Sequence, residues 1–200
     1  MEEILNESLT SFQDFTDKMS YKVQRQAWTF FLEKTVICYI QCMLNSSLKI
    51  KQGSSEKVVD KIREDYEKIQ DRFKEYMTFR LMRSGIEVLG DLLSFFESSP
   101  AFISVATEKL RKQHGPNFKL QTVKAIMNLR SDLSKEERAE ALKICKDVLD
   151  QYADGQYDQK IRNKNGQSNT AGIFSELDMS QIEKAEKQQE QDKNGENIMI

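Results

Sequence analysis

Residues 55–79 read SEKVVDKIREDYEKIQDRFKEYMTF. Val58, Ile62, Tyr66, Ile69, Phe73 and Tyr76 recur at steps of three or four, and most of the positions between them are charged. That spacing gathers one apolar stripe on one side of a helix and leaves the other side wet. Such a helix is stable when its stripe lies against other helices, so the stretch predicts the outer helix of a bundle.

The neighbouring stretches extend the same pattern. Upstream, residues 21–49 carry two stripes, one of Val23, Ala27, Phe30, Phe31, Ile37 and Cys38 and one of Trp28, Leu32, Thr35, Tyr39, Cys42 and Met43. Two stripes predict a long helix covered on both sides, central to the bundle. A helix over 3–19 precedes it, with Ile4, Leu5, Leu9, Phe12 and Phe15 on one side, and the glycine-containing stretch 49–55 is a loop. Downstream the pattern weakens at Ser84-Gly85, which predicts a break or kink between 78 and 85, and resumes with Ile86, Leu89, Leu93 and Phe96.

Ser99-Pro100 marks an N-cap followed by a first-turn proline. The helix it opens carries Phe102, Val105, Ala106 and Leu110 and stops at His114-Gly115-Pro116. Another helix covers 118–130 with Leu120, Val123, Ile126, Met127 and Leu129 apolar. Ser134 and Glu137 then form a capping-box pattern for a helix burying Ala141, Leu142, Cys145, Val148 and Leu149. No stretch alternates with period two, so the predicted class is all-α: an elongated stacked bundle of six or seven helices over residues 1–152. Residues 153–200 are rich in Gln, Asn and Gly and poor in large apolar side chains, and predict a mostly disordered polar tail.

Charge and cysteine content narrow the function classes. Thirty basic and 32 acidic side chains give a net charge of −2, which offers no field for nucleic acid. The N-terminus lacks the basic and apolar regions of a signal peptide. The most apolar stretch, 36–44, is far shorter than the roughly 20 residues of a membrane-spanning helix. Three cysteines in no paired pattern predict reduced thiols and a soluble intracellular, cytoplasmic chain.

The residues of catalysis are sparse. The single histidine, His114, sits at a helix end, where the dipole and terminal carbonyls favour it in a structural role. Cys38 and Cys42 share one helix face at a spacing open to metal, but further ligands are missing nearby, and a core position is expected for them. Glu64, Asp65, Glu67 and Asp71 read as a solvated helix face with pairs such as Glu64–Lys68. With one histidine, a di-metal carboxylate bundle is excluded, and the sequence contains no phosphate-binding loop or nucleophile elbow. The expectation is a non-enzyme with no cofactor, no metal and no small-molecule substrate; a thiol or metal enzyme built on Cys38 and Cys42 is the competing class.

Two features are candidates for binding. Lys49, Lys51, Lys57 and Lys61 cluster around the loop after the long helix and are candidate contacts for anionic lipid, although Glu56 and Asp60 interleave with them. In the tail, Ile173, Phe174 and Leu177 form an apolar patch, a candidate partner-binding site. Ser180-Gln181-Ile182-Glu183 follows as a second capping pattern that predicts a short helix near 175–190.

The order of a two-sided helix, a basic loop, a charged outer helix and Ser99-Pro100 resembles the C-terminal region of the exocyst complex component 3 family, over residues 10–150. The most specific stretch is Val123–Ser134: in the family a similar apolar helix ends in an Arg-Gly-Asp-like turn before a Ser-capped last helix, and here Ser131 stands where glycine is common. The resemblance implies stacked helical bundles in a multisubunit complex that tethers secretory vesicles to the plasma membrane before SNARE-mediated fusion. The implied partners are other exocyst subunits and SNARE proteins, with peripheral placement at sites of secretion. Family members are several times longer, so the resemblance makes this chain a fragment, a truncated reading frame or a short paralogue. An unrelated helical adaptor, or a subunit of another tethering complex, is the alternative.

Overall fold

A computed structural model describes residues 2–45, 55–130, 132–152, 173–182 and 184. These residues are helical throughout their regular structure, with no strand among them. The helices are α1 (Glu2–Thr16), α2 (Tyr21–Asn45), α3 (Ser55–Phe73), α4 (Phe79–Glu97), α5 (Ile103–His114), α6 (Leu120–Leu129) and α7 (Lys135–Gln151). Short 3-10 turns at Pro100–Phe102 and Gly115–Asn117 flank α5.

Helix α4 is the hub. It packs against α2, α3 and α5, while α7 packs against α5 and α6. Its Val88, Leu89, Leu92 and Phe95 are withdrawn from water almost completely. Of the stripe read over 55–79, Ile62, Ile69 and Phe73 are buried on α3 and Tyr66 half-buried, Tyr76 is half-buried in the turn after it, and the Val58 side chain lies outside the described residues. Trp28 of α2 joins α1 and α3. Its ring stacks on Tyr76 at 4.3 Å and meets Phe12 of α1 edge-on at 4.9 Å and Phe73 of α3 edge-on at 6.3 Å.

Several local expectations shift. The chain breaks at 74–78 and not at 78–85, and α4 runs unbroken through Gly85. A Cβ on Gly85 would lie 3.2 Å from both Cγ and Cδ2 of the fully buried Leu32, so this glycine sets how closely α4 crosses α2. On α5 the buried residues are Ile103, Thr107, Leu110, Arg111 and His114; of the predicted row Leu110 is buried and Ala106 partly so, while Phe102 and Val105 face solvent. Thr107 disguises the buried side in the sequence. Its hydroxyl bonds Ile103 O at 2.9 Å and lies 3.1 Å from Cys145 Sγ, so a polar side chain sits in the core without loss.

Ser99 makes no side-chain cap bond, and Pro100 opens a 3-10 turn ahead of α5, but other helix ends follow their sequence signals more closely. Gly115, at φ 70°, closes α5 with its N–H on Arg111 O. Arg130, almost fully buried, does the same service for α4 from a distance: its Nη1 donates to Phe95 O at 3.3 Å and Ser98 O at 3.0 Å, and Asp132 holds it through Nε and Nη2 at 2.9 Å each. A cation at a helix C-terminus satisfies carbonyls that no helical N–H reaches. The capping box of α7 forms as read, with Glu137 N–H on Ser134 Oγ at 3.1 Å and Ser134 N–H on Glu137 Oε2 at 2.8 Å. Ser134→Ala is expected to destabilise the protein by about 1 kcal/mol, a drop of about 2–4 °C in melting temperature by circular dichroism.

Candidate docking groove

Helix α2 presents Lys34 and Gln41, two turns apart, to a segment from the far end of the chain. Residues 173–175 form a 3-10 turn and 179–182 a helical turn, and between them the chain crosses α2. Gln41 reads the backbone of Asp178 twice: Asp178 N–H donates to Gln41 Oε1 at 2.8 Å, and Gln41 Nε2 donates to Asp178 O at 3.2 Å. Lys34 pairs with Glu176 while its ammonium lies 5.0 Å from the centroid of the Phe30 ring.

The apolar side chains of this segment point inward. Ile173, Phe174, Leu177 and Ile182 are all buried. The Phe174 ring meets His114 edge-on at 5.3 Å and Phe118 at 5.0 Å. So the structure brings together the three apolar residues singled out as partner-binding candidates and seats them in the chain's own groove. Asp178 caps the helical turn that follows: its Oδ1 accepts from Ser180 N–H at 3.1 Å and Gln181 N–H at 3.2 Å. The Ser180 hydroxyl at 2.6 Å is the largest cause holding the Asp178 carboxyl below its ordinary range. The cap is therefore Asp178, two residues before the Ser180 that the capping pattern suggested. An aspartate accepting two N–H groups at the turn's start outcompetes a hydroxyl inside it.

Beneath Phe174 lies a buried polar cluster. His114 Nε2 is 3.0 Å from Asp91 Oδ2, and Lys109 Nζ reaches Asp91 Oδ1 at 2.9 Å from the solvent side. The Gln113 amide, oriented with its nitrogen toward Asp91, donates at 2.8 Å. His114 keeps the structural role expected of it, but its partner is a carboxylate from α4 and not the carbonyls of its own helix. Nothing in the sequence near His114 announces Asp91, which lies a helix away.

The other candidates fall elsewhere. Lys49 and Lys51 lie outside the described residues, and Lys57 lies in α3 with its side chain outside them. Lys61 binds Asp65 at 2.7 Å. Asp65 itself is buried, contrary to the solvated face read from the sequence, because Tyr39 of α2 donates to its second oxygen at 3.3 Å. Burial first, and Asp65 next, push the Tyr39 phenol far above its ordinary pKa, so it remains a donor. Cys38 and Cys42, expected in the core, are exposed. The buried side of α2 runs through Val36, Ile37, Ile40, Met43 and Leu44, which turns Cys38 and Cys42 outward. Among the described residues no group of three or more His, Cys, Asp or Glu side chains is placed to hold a metal.

Glu33 adds a pH term to the groove. Burial raises its carboxyl pKa above the usual 4.5, and Glu176 raises it further against the opposing effect of Lys34. A carboxyl whose pKa is higher folded than unfolded opposes folding once ionised, so its contribution worsens as pH rises from 4.5 through the raised value. Glu33→Gln is expected to raise the melting temperature at pH 7 while leaving it nearly unchanged at pH 4. Melting curves at those two pH values check it.

The described helices hold an extended segment of the same chain against α2 by apolar anchors and backbone-directed hydrogen bonds. Residues 1–135 match the family described as exocyst complex component Sec6. The chain belongs to that family, whose members are structural components of a tethering complex and not enzymes. No solved structure matches the chain.

Proposed function

We propose that this chain acts as the C-terminal region of exocyst component 3, tethering secretory vesicles to the plasma membrane before SNARE-mediated fusion. The observation that carries the reading is the family match over residues 1–135, which spans α1 to α6 and the sequence Arg130-Ser131-Asp132. The physical basis is a set of helices fixed against one another by buried side chains, which presents long rigid surfaces to partner helices at little entropic cost. Other exocyst subunits and SNARE proteins are the proposed partners. The body, residues 1–152, supplies the rigid surface, and residues 153–200 the polar tail.

No helix of the described residues is long and apolar enough to cross a membrane. Attachment to the cytoplasmic side of the plasma membrane is accordingly proposed as peripheral, with Lys49, Lys51, Lys57 and Lys61 touching anionic head groups. Affinity purification of the tagged chain from secreting cells is expected to recover exocyst subunits in stoichiometric amounts. Recovery of none of them, with the chain intact and soluble, would overturn the assignment.

A further inference from the structure

The tail segment occupies only part of the surface on which it lies. The face of α2 that meets it runs through Val23, Ala27, Phe30, Lys34, Ile37 and Gln41, each step three or four residues. Val23 to Gln41 extends about 27 Å along the helix axis, at about 1.5 Å per residue. Glu176 to Asp178, the stretch that engages Lys34 and Gln41, spans at most about 7 Å. Beyond Lys34 the same face lies open: Phe30 is 58% exposed and Val23 46%. Large apolar side chains in a row, continuous with a groove already filled by apolar side chains, mark an interaction surface longer than its present occupant.

The occupant defines the chemistry that fits. Of two adjacent large apolar residues, Phe174 packs against His114 and Phe118, and Ile173 is buried beside it in sequence. An acidic residue, Glu176, then meets Lys34, and Leu177 and Ile182 complete the apolar side. Burying four such side chains gains free energy of the same order as the entropy lost in ordering roughly ten residues. Such a contact is held by its covalent tether as much as by its own affinity, since tethering supplies an effective concentration on the order of millimolar.

We propose that residues 173–182 are a built-in competitor for this groove. Its binding partner is an amphipathic segment of another protein that carries an adjacent pair of large apolar residues followed by an acid. A partner segment longer at its N-terminal end also covers Phe30, Ala27 and Val23, and that added contact lets it displace the tail. Glu176 meets Lys34 and Asp178 meets Gln41, so between these two contacts the segment advances in the same sense as α2. The extension toward Phe30 is therefore N-terminal.

A fluorescent peptide of residues 171–186 tests this in trans, by anisotropy, against the full chain and full-chain variants. Phe174→Asp/Leu177→Asp empties the groove and is expected to bind the peptide at least tenfold more tightly than the wild type. Glu176→Lys, at an exposed ion pair, provides a variant that leaves the core untouched and is expected to show a smaller gain of about threefold. In either background Lys34→Glu is expected to weaken binding several-fold, with recovery when the peptide itself carries Glu176→Lys. A peptide extended at its N-terminus by a turn bearing two leucines is expected to bind tighter still, and Phe30→Ser to remove only that increment. Equal affinities for the wild-type chain and both released variants would overturn the idea of a competitor. An extended peptide indifferent to Phe30→Ser would overturn the extended surface. Concentration-dependent dimerisation of the wild type through its tail would assign the groove to a second copy of this chain in place of a partner.

Discussion

Trp28→Ala is expected to lower the free energy of unfolding by about 3–5 kcal/mol, the range for removing a large aromatic side chain from a core. Trp28 is almost fully buried and its ring is shared by α1, α2 and α3 through Phe12, Phe31, Phe73 and Tyr76. Removing the indole leaves Phe12 stacked only on Phe31, at 4.4 Å, so α1 should loosen before the rest of the bundle. Urea titration followed by far-ultraviolet circular dichroism measures the loss, and hydrogen exchange across residues 2–16 shows where it is concentrated. Trp28→Phe keeps an edge for Phe12 and should lose less than half as much. Because Trp28 is the only tryptophan in the chain, its fluorescence in the wild type reports on this junction alone. A loss below about 1 kcal/mol for Trp28→Ala would show that the junction is not a unit of stability.

Asp91→Ala has the second largest expected effect, about 3 kcal/mol, because removing one partner leaves the other buried without compensation. His114 is 2% exposed and would lose its acceptor at Nε2, while its Nδ1 already has no partner among the described residues. Lys109, 53% exposed at its side chain, would simply return to water. Lys109→Ala is the control, expected to lose under 1 kcal/mol as a half-exposed ion pair does. The two variants should also differ at the groove. A His114 ring free to turn no longer presents a fixed edge to Phe174, so Asp91→Ala should speed proteolytic cleavage at 173–182, and Lys109→Ala should not. Equal effects from the two substitutions would mean that the buried carboxylate orders neither His114 nor the tail.

The helices themselves were legible because their signals are local. The stripe of α3, the stop at Gly115-Pro116 and the Ser134–Glu137 box each involve residues within four or so positions of one another, and each forms as read. Gly85 was misread because glycine weakens a helix in isolation but permits a close crossing in a bundle, and only Leu32 on α2 discloses which applies. On α5 Leu110 is buried as expected, and Phe102 and Val105 are not, because a buried threonine with satisfied bonds looks polar in sequence. Cys38 and Cys42 lie outside the core for a related reason: a helix apolar on two sides does not say which side its neighbours will cover. Asp65 is buried because Tyr39, which bonds it, comes from another helix.

The docking groove was half legible. Ile173, Phe174 and Leu177 stand out as apolar residues in a polar segment, and that contrast is a sequence property. Lys34 and Gln41 carry no comparable mark, since each sits in a long helix among other polar side chains, and nothing local to His114 or Phe118 points to the tail.

What the sequence determined by itself is an all-helical chain, its caps and stops, and the family to which residues 1–135 belong. Periodicity and capping act over one or two turns, so they survive in the linear order of residues. The tertiary structure alone decided that α4 is the hub, that Asp91 answers His114, and that the tail lies on α2. Those contacts join residues up to 142 positions apart, through faces chosen by the packing of every other helix at once.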